Sequence, residues 1–521
     1  MIWGETMKHK ITRIIAAALS VMMMSASVSC VEEVNPSETS DETFSSVSRY
    51  DGNIPTTGSS EEATDESGSD IAVTTTSATT TETTTTTTTV SPVAKGNIYD
   101  AGGNILMSSY HDETGTEVRS SSADPGYRIA FGNILSSSSA GFDSTFEDIL
   151  RKDNPAAVNG DTEMGQSIQL TMDARVQNAI YQYMQNNNIV GSAVVMRNDG
   201  SIMAEVSYPS YDPDLLLSDP NYINTLPGGA CVNKAFQNVS PGSCFKIMSE
   251  VLCDKHGITS LYDDGTWTDD GSVIVNWDHN TGYYPVPDRS LYSAFVNSSN
   301  IYFAKAFQQI GKDAVLSDLG NIFNFGPGYE IWCDFGSLEN NIEIYCNDDL
   351  RRSAFGQSYV RTCPIYLAAL GREAVFGDMV KPFVIKNIVD TSDFSNVIGE
   401  GSTPFDVIGS IPKEYRQNLL DGMSGVASNL GVYVPEGYQL YAKTGTAETG
   451  AGDFLYITGC VKNVNDDGSS CGTSSDYSDY RASGGSYTIV MQIQNAQYHG
   501  FSFASQSAMY YKGIVDIVFS Y

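Results

Sequence analysis

Residues 241–248 read Pro-Gly-Ser-Cys-Phe-Lys-Ile-Met. Proline and glycine end the preceding segment and open a helix, so Ser243 is predicted in its first turn, where the helix dipole favours a developing alkoxide. Lys246 follows on the same helical face, within reach of the Ser243 hydroxyl. The apolar neighbours predict a buried helix, and burial favours the neutral form of a lysine. The two residues are therefore a candidate nucleophile and base, although Ser-x-x-Lys alone occurs by chance in most chains of this length.

Two further short motifs lie downstream of this helix. The first is Ser298–Asn300, in an otherwise apolar segment; polar residues there would be costly to bury without partners, so they are predicted to line a cleft. The second is Lys443–Thr446, predicted to follow a strand. Its Gly445 would leave the strand edge open to an extended peptide, and Lys443 would place positive charge near an anionic substrate end. Each motif alone is also compatible with an ordinary loop or edge strand.

The three motifs together, in this order, resemble the S-x-x-K, S-x-N and K-T-G elements of the penicillin-binding transpeptidases and serine β-lactamases. The segments 95–100, 208–213 and 356–364 add a resemblance to class B penicillin-binding proteins. Strand and helix patterns predict an α/β architecture with one mostly antiparallel sheet flanked by helices. The resemblance implies the transpeptidase fold, in which this sheet has five strands and packs beside an all-helical cluster.

The resemblance also implies a role for each motif residue in peptidoglycan D,D-transpeptidation, through an acyl-enzyme that penicillin would form as well. Catalytic roles fall to the nucleophile Ser243, the base Lys246, the proton relay of Ser298 and Lys443, and Asn300, which would bind Lys246 and the donor peptide. Substrate-binding roles fall to Thr444, Gly445 and Thr446. No cofactor or metal is implied. The expected partners are peptidoglycan stem peptides, β-lactams and cell-wall assembly proteins such as a glycosyltransferase.

Three other functions share these motifs. A β-lactamase or β-lactam sensor would hydrolyse or hold the acyl group, a D,D-carboxypeptidase would use water in place of the acceptor amine, and a wall-assembly scaffold would keep the fold without the reaction. The class B-like flanks and the lack of an assignable deacylating carboxylate favour the transpeptidase.

The local patterns predict individual elements along the chain. Predicted helices cover 144–151, a segment capped by Asp173 and ending at Met184, most of 243–330, 361–374 and 502–519. Predicted strands cover two short segments within 95–106, then 192–196, 201–206, 439–442, 454–458 and 487–494. Residues 460–487 are predicted to be an insertion between two strands.

The N-terminal region predicts export. Lys8, Lys10 and Arg13 precede an apolar run at 14–28 that is too short for an ordinary membrane span, which is the layout of a signal peptide. Small residues before Cys30 leave three readings open: a lipidated Cys30, ordinary cleavage, or an uncleaved anchor. The expected domains are a signal peptide or membrane anchor (1–30), a disordered acidic Thr-rich linker (31–94), a small α+β module (95–165) and the transpeptidase domain (166–521). The linker would be either a spacer into the cell wall or a solubilising tail.

The composition of the chain argues against two further classes of function. The chain has 29 basic and 62 acidic residues, a formal net charge of −33, which argues against nucleic acid as a partner. Nine cysteines without a C-x-x-C pair, and five histidines without H-E-x-x-H, argue against a metal enzyme. Because thiols can oxidise outside the cytoplasm, two pairs have spacing suited to local disulfides, Cys333–Cys346 and Cys460–Cys471, and free thiols are the open alternative. The enzyme is expected at the extracytoplasmic face of the cell membrane, facing the wall.

Overall fold

A computed structural model describes residues 93–136, 141–154, 164–279, 285–450, 452–469 and 485–521 of the 521-residue chain. The expected signal peptide or anchor, Cys30, all but the end of the linker, and Cys471 lie outside the described residues. Within them, no helix combines the length and apolar character needed to cross a membrane.

The strands fall into one five-stranded sheet, one six-stranded sheet and several two-stranded ribbons. In chain order they are β1 Ile98–Tyr99, β2 Ile105–His111, β3 Glu117–Ser121, β4 Ser167–Leu170, β5 Gly191–Arg197, β6 Ile202–Tyr208, β7 Ser260–Asp263, β8 Thr266–Asp269, β9 Ser272–Val275, β10 Val286–Ser290, β11 Ile331–Cys333, β12 Gly336–Leu338, β13 Asp378–Val380, β14 Ile385–Val389, β15 Val397–Glu400, β16 Val407–Ser410, β17 Tyr438–Thr449, β18 Gly452–Asn463 and β19 Tyr487–Ile493.

The helices group mainly between β6 and β17. In chain order they are α1 Pro125–Ala130, α2 Gly132–Leu135, α3 Phe142–Thr145, α4 Glu147–Leu150, α5 Ala174–Asn186, α6 Pro213–Ser218, α7 Lys246–Lys255, α8 Leu291–Val296, α9 Asn300–Ile310, α10 Lys312–Phe323, α11 Asn347–Ser353, α12 Pro364–Phe376, α13 Lys413–Leu430 and α14 Ala508–Val518. Short 3-10 turns include Gly242–Phe245, directly before α7, and Ala504–Ser507, directly before α14.

The five-stranded sheet has the spatial order β17-β18-β19-β5-β6, and every neighbouring pair is antiparallel. Adjacent residues of β18 face opposite sides, as strand geometry requires. Gly459 faces α14, where the Tyr511 hydroxyl donates to its carbonyl, and Cys460 faces the end of α12 at Val375 and Phe376. Helices therefore cover both faces of the sheet, and the predicted antiparallel five-stranded architecture is confirmed.

The six-stranded sheet, in the order β15-β14-β4-β1-β2-β3, joins segments that lie far apart in the sequence. The first three strands in the chain belong to the expected small module, whereas β4, β14 and β15 come from beyond residue 165. The hydrogen bonds of this sheet therefore cross the expected boundary between the module and the larger domain.

Most predicted elements are confirmed, with one large exception at 260–290. Asp173 caps α5 with its side chain, and the β5–β6 hairpin forms as expected. The prediction that helices fill most of 243–330 is wrong for 260–290, where β7 to β10 lie. The β8–β9 hairpin turns at Asp270 and Gly271, whose φ angles of 50° and 77° are the left-handed pair that a two-residue hairpin loop favours.

Four smaller expectations also need correction. Lys443 lies inside β17 and does not follow a completed strand. The predicted helix at 144–151 is two short helices that meet at Phe146, and the C-terminal helix begins at Ala508 after a 3-10 turn. The predicted Cys333–Cys346 disulfide is wrong: both thiols are free, and that of Cys346 donates to the Asp349 carboxylate at 3.3 Å. Cys460 is a buried free thiol.

Candidate active site

Close backbone packing brings the first motif against β17. Gly242 has φ 53°, and a Cβ atom there would lie 2.4 Å from the carbonyl oxygen of Thr446. A Cβ atom on Gly445 would lie 2.6 Å from the Pro241 carbonyl oxygen. The two glycines therefore let the 3-10 turn and the strand meet backbone to backbone, which is a packing reason for Gly445 that the sequence alone did not indicate.

Lys246 is the centre of the hydrogen-bond network. Its ammonium is fully buried and donates to the Ser243 hydroxyl at 3.0 Å. It also donates to the Ser298 carbonyl at 2.8 Å, the Ser298 hydroxyl at 3.2 Å and Asn300 Oδ1 at 2.8 Å. The residues predicted from the first two motifs thus meet around one amine.

Lys443 reaches the same network from the sheet. Its side chain is fully buried and donates to the Ser298 hydroxyl at 3.1 Å and to the carbonyl of Thr444 at 2.9 Å. Ser298 therefore lies between two lysines, and its hydroxyl can pass a proton between them or to a substrate group in the cleft.

Burial shifts the pKa of both lysines downward. Loss of solvent, and secondarily the nearby charge of Lys443, hold the pKa of Lys246 well below its ordinary value. Loss of solvent also lowers the pKa of Lys443 to about 8. A neutral amine is therefore accessible near physiological pH, and a neutral Lys246 at 3.0 Å from Ser243 can accept the hydroxyl proton during nucleophilic attack.

The network opens onto a cleft of about 870 Å³. Ser243, Ser298, Asn300, Thr444 and Thr446 line it, and all five side chains are partly exposed. Gly445 is buried against the 3-10 turn and is not part of the lining. The cleft can therefore admit a substrate to the nucleophile while both lysines stay shielded from solvent.

Two aromatic residues at the cleft were not predicted from the sequence. Trp277 and Phe503 both line it, and their ring centroids lie 5.3 Å apart in an edge-on contact. Trp277 keeps 55% of its surface exposed and donates its indole N–H to the Asn297 carbonyl at 3.0 Å. Only the fold reveals this contact, because the two residues lie far apart in the sequence.

Cys244 follows the nucleophile but faces away from the cleft. It is fully buried, and its sulfur lies 3.7 Å from the Lys443 carbonyl oxygen and 3.7 Å from the Thr458 hydroxyl. Burial raises the pKa of its thiol to about 11. Cys244 is therefore interpreted as a packing residue.

Comparison with known proteins identifies the family. Residues 191–506 match the family model of the penicillin binding protein transpeptidase domain. Penicillin-binding protein 3 of Bacillus subtilis (strain 168) is 27% identical over 346 residues, 59% of this chain and 48% of that protein. The peptidoglycan D,D-transpeptidase MrdA of Escherichia coli (strain K12) is 26% identical over 322 residues, 55% of this chain and 48% of that protein. The chain thus spans about half the length of these curated relatives.

Solved structures show the same fold. The penicillin G acyl-enzyme complex of penicillin-binding protein A from M. tuberculosis has a TM-score of 0.64 at 19% identity, over 82% of this chain and 99% of that one. The D,D-transpeptidase domain of a peptidoglycan glycosyltransferase from Eggerthella lenta has a TM-score of 0.63 at 19% identity, with the same coverage of both chains. Because the family match spans more than half of the chain and contains all three motifs that converge on Ser243, the chain belongs to the penicillin-binding transpeptidase family.

Proposed function

We propose that the protein is a peptidoglycan D,D-transpeptidase that cross-links stem peptides through an acyl-enzyme at Ser243. The observation that carries this proposal is the 3.0 Å contact between the buried Lys246 amine and the Ser243 hydroxyl at the edge of an open cleft. A serine paired with a desolvated lysine is chemically suited to acyl transfer and needs no metal or cofactor.

In the acylation step, Ser243 Oγ attacks the penultimate carbonyl of a stem peptide that ends in D-Ala-D-Ala. Lys246 takes the hydroxyl proton, and backbone N–H groups of Ser243 and Thr446 stabilise the oxyanion. The peptide C–N bond then breaks, and the terminal D-Ala leaves with a proton relayed through Ser298. Lys443 supports this relay from its 3.1 Å contact with Ser298.

The edge of the cleft that β17 forms binds the donor peptide. The hydroxyls of Thr444 and Thr446 bind the terminal carboxylate, beside the positive charge of Lys443, and Gly445 keeps the strand close to the nucleophile. Asn300 holds Lys246 and the donor backbone. In the second step an amine from another stem peptide attacks the acyl-enzyme, which frees Ser243 and forms the cross-link.

Incubation with synthetic donor and acceptor stem peptides, followed by mass spectrometry of the products, tests this proposal. The expected result is a cross-linked dimer with release of D-Ala, abolished by Ser243→Ala. Ser249→Ala is the matched control, because Ser249 lies in α7, the helix that follows the turn of Ser243, but donates to the Ala354 carbonyl, away from the cleft. Hydrolysed donor without dimer would indicate a carboxypeptidase, and rapid turnover of penicillin would indicate a β-lactamase. The absence of any reaction would indicate a scaffold. Each of these outcomes would overturn the proposal.

The cell location follows from the N-terminal sequence. The N-terminal apolar segment tethers the enzyme to the extracytoplasmic face of the membrane, with lipidated Cys30 as one form of the anchor, and the acidic linker lifts the domain towards the wall. β-Lactams then reach it directly, and assembly proteins such as a glycosyltransferase are its partners at the membrane. Detergent-phase partitioning of the expressed full chain, compared with Cys30→Ser, tests the anchor. Loss of partitioning in this variant supports lipidation, and a full chain that never enters the detergent phase refutes the tether.

A further inference from the structure

The turn that contains Ser298 has a backbone conformation that neighbouring residues must stabilise. Ser298 has φ 55°, a left-handed conformation that non-glycine residues keep only where the surroundings enforce it. The turn leads directly into α9, whose first N–H groups have no partner within the helix. Whatever binds those N–H groups therefore also fixes Ser298 and Asn300 relative to Lys246.

Asn276, directly after β9, supplies most of this support. Its side-chain oxygen accepts hydrogen bonds from the backbone N–H groups of Asn300 at 2.8 Å and Ile301 at 3.2 Å. The carbonyl oxygen of the preceding residue, Val275, accepts a hydrogen bond from the Asn300 side-chain N–H₂ at 2.9 Å. Because the amide nitrogen of Asn300 is bound there, its oxygen faces Lys246. Two neighbouring residues thus hold Asn300 by its backbone and by its side chain.

Asp263, at the end of β7, fixes the orientation of Asn276. It is fully buried, and its carboxylate accepts the Asn276 side-chain N–H₂ at 2.9 and 3.2 Å. It also accepts the Ser299 hydroxyl at 2.6 Å and forms an ion pair with Arg289 at 2.6 Å. Because the side-chain nitrogen of Asn276 binds Asp263, the side-chain oxygen of Asn276 must point towards α9.

We propose that Asn276, oriented by Asp263, is a positioning residue for acylation: it holds Ser298 and Asn300 in register with Lys246. This inference rests on the proposed acyl transfer at Ser243. Asn276 is buried at the wall of the cleft, and it acts through Asn300 because its hydrogen bonds do not reach the nucleophile. Its removal should therefore slow the chemical step and leave the binding of the β-lactam largely intact.

Stopped-flow acylation of the full chain by a fluorescent penicillin separates these effects, since saturation gives a limiting rate and a half-saturating concentration. Asn276→Ala is expected to lower the limiting rate by about tenfold or more, while the half-saturating concentration changes by less than about threefold. A limiting rate for the folded fraction within about threefold of wild type would overturn the proposal.

Asn324→Ala is the matched control. Like Asn276, Asn324 uses its side-chain amide to hold backbone, since it donates to the carbonyl of Ile408; like Ser298 it has a left-handed φ, of 50°, but it does not line the cleft. It should lose stability without a change in the limiting rate. A comparable fall in rate for this control would mean that general loosening, and not positioning, explains the effect of Asn276→Ala.

A paired exchange tests the link to Asp263 and decides the matter if Asn276→Ala does not fold. Asn276→Asp keeps an acceptor for α9 but sets two carboxylates against each other, so the limiting rate should fall. Adding Asp263→Asn restores a donor opposite the acceptor and should recover the rate to within about threefold of wild type. A folded double variant that stays slow would overturn the proposal. If wild type itself forms no adduct, the proposed function fails instead.

Discussion

Replacement of Lys443 by methionine is expected to stabilise the protein at neutral pH while it impairs acylation. The pKa of the buried amine is about 8, against an ordinary value of 10.5. Below pH 8 the lysine is charged in both the folded and the unfolded chain, so the full cost of burying the charge acts against folding. The difference between the two pKa values corresponds to about 3 kcal/mol.

Methionine removes this cost but also two hydrogen bonds, to the Ser298 hydroxyl and the Thr444 carbonyl, each worth about 1 kcal/mol. Lys443→Met should therefore be about 1 kcal/mol more stable than wild type at pH 7. As the pH rises above 8, the wild-type lysine becomes neutral in the folded state and its burial costs less. The advantage of the variant should shrink by about 2 kcal/mol between pH 7 and pH 9.5.

Urea unfolding followed by tryptophan fluorescence at the two pH values measures this effect. Lys512→Met is the control, because Lys512 keeps 40% of its side chain exposed, so the substitution removes no buried charge. A stability difference between Lys443→Met and wild type that is the same at both pH values would refute the reasoning. Acylation offers a second readout: loss of the Lys443 charge should raise the pKa of Lys246 and move the acid limb of the rate profile to higher pH.

Three further substitutions give expected outcomes. Lys246→Arg should be nearly inactive towards penicillin, because a guanidinium stays protonated and cannot act as the base; acylation within about threefold of wild type would mean that only the charge matters. In urea unfolding, Gly242→Ala should lose far more stability than Gly431→Ala. Both glycines have positive φ, but the new Cβ would contact backbone atoms only at Gly242, because nothing lies within 4 Å at Gly431. Cys244→Ala should keep its acylation rate within about threefold and lose about 1–2 kcal/mol of stability; a larger loss of rate would give the thiol a chemical role.

The central sheet and the catalytic motifs were predictable because their signals are local. The hairpin of β5 and β6 has a turn sequence at Asn198–Gly200 between apolar strands, and the three motifs carry chemistry in a few adjacent residues. The way Gly242 and Gly445 join motif to sheet was not predictable, since the contact is between backbones that are distant in sequence.

The segment 260–290 carries a local hairpin signal that competes with the helical patterns around it. The Asp270-Gly271 pair between two segments rich in β-branched and aromatic residues is typical of a hairpin, although helical patterns flank it on both sides. The hydrogen bonds from Asn300 and Ile301 to Asn276 also depend on how that hairpin packs against α9, which no local pattern in the sequence indicates. Helix α13 was also overlooked, although Leu419, Met423 and Val426 recur at helical spacing and are buried.

Peptide mapping of the penicillin adduct tests the central claim, that Ser243 is the nucleophile. The 521-residue chain is treated with penicillin G, quenched, digested and analysed by tandem mass spectrometry, with Ser243→Ala and Ser249→Ala in parallel. The account predicts one stoichiometric, long-lived adduct on the peptide that contains Ser243, retained in Ser249→Ala and absent in Ser243→Ala. An adduct on any other residue, an adduct that persists in Ser243→Ala, or no adduct on the folded wild-type protein would contradict it.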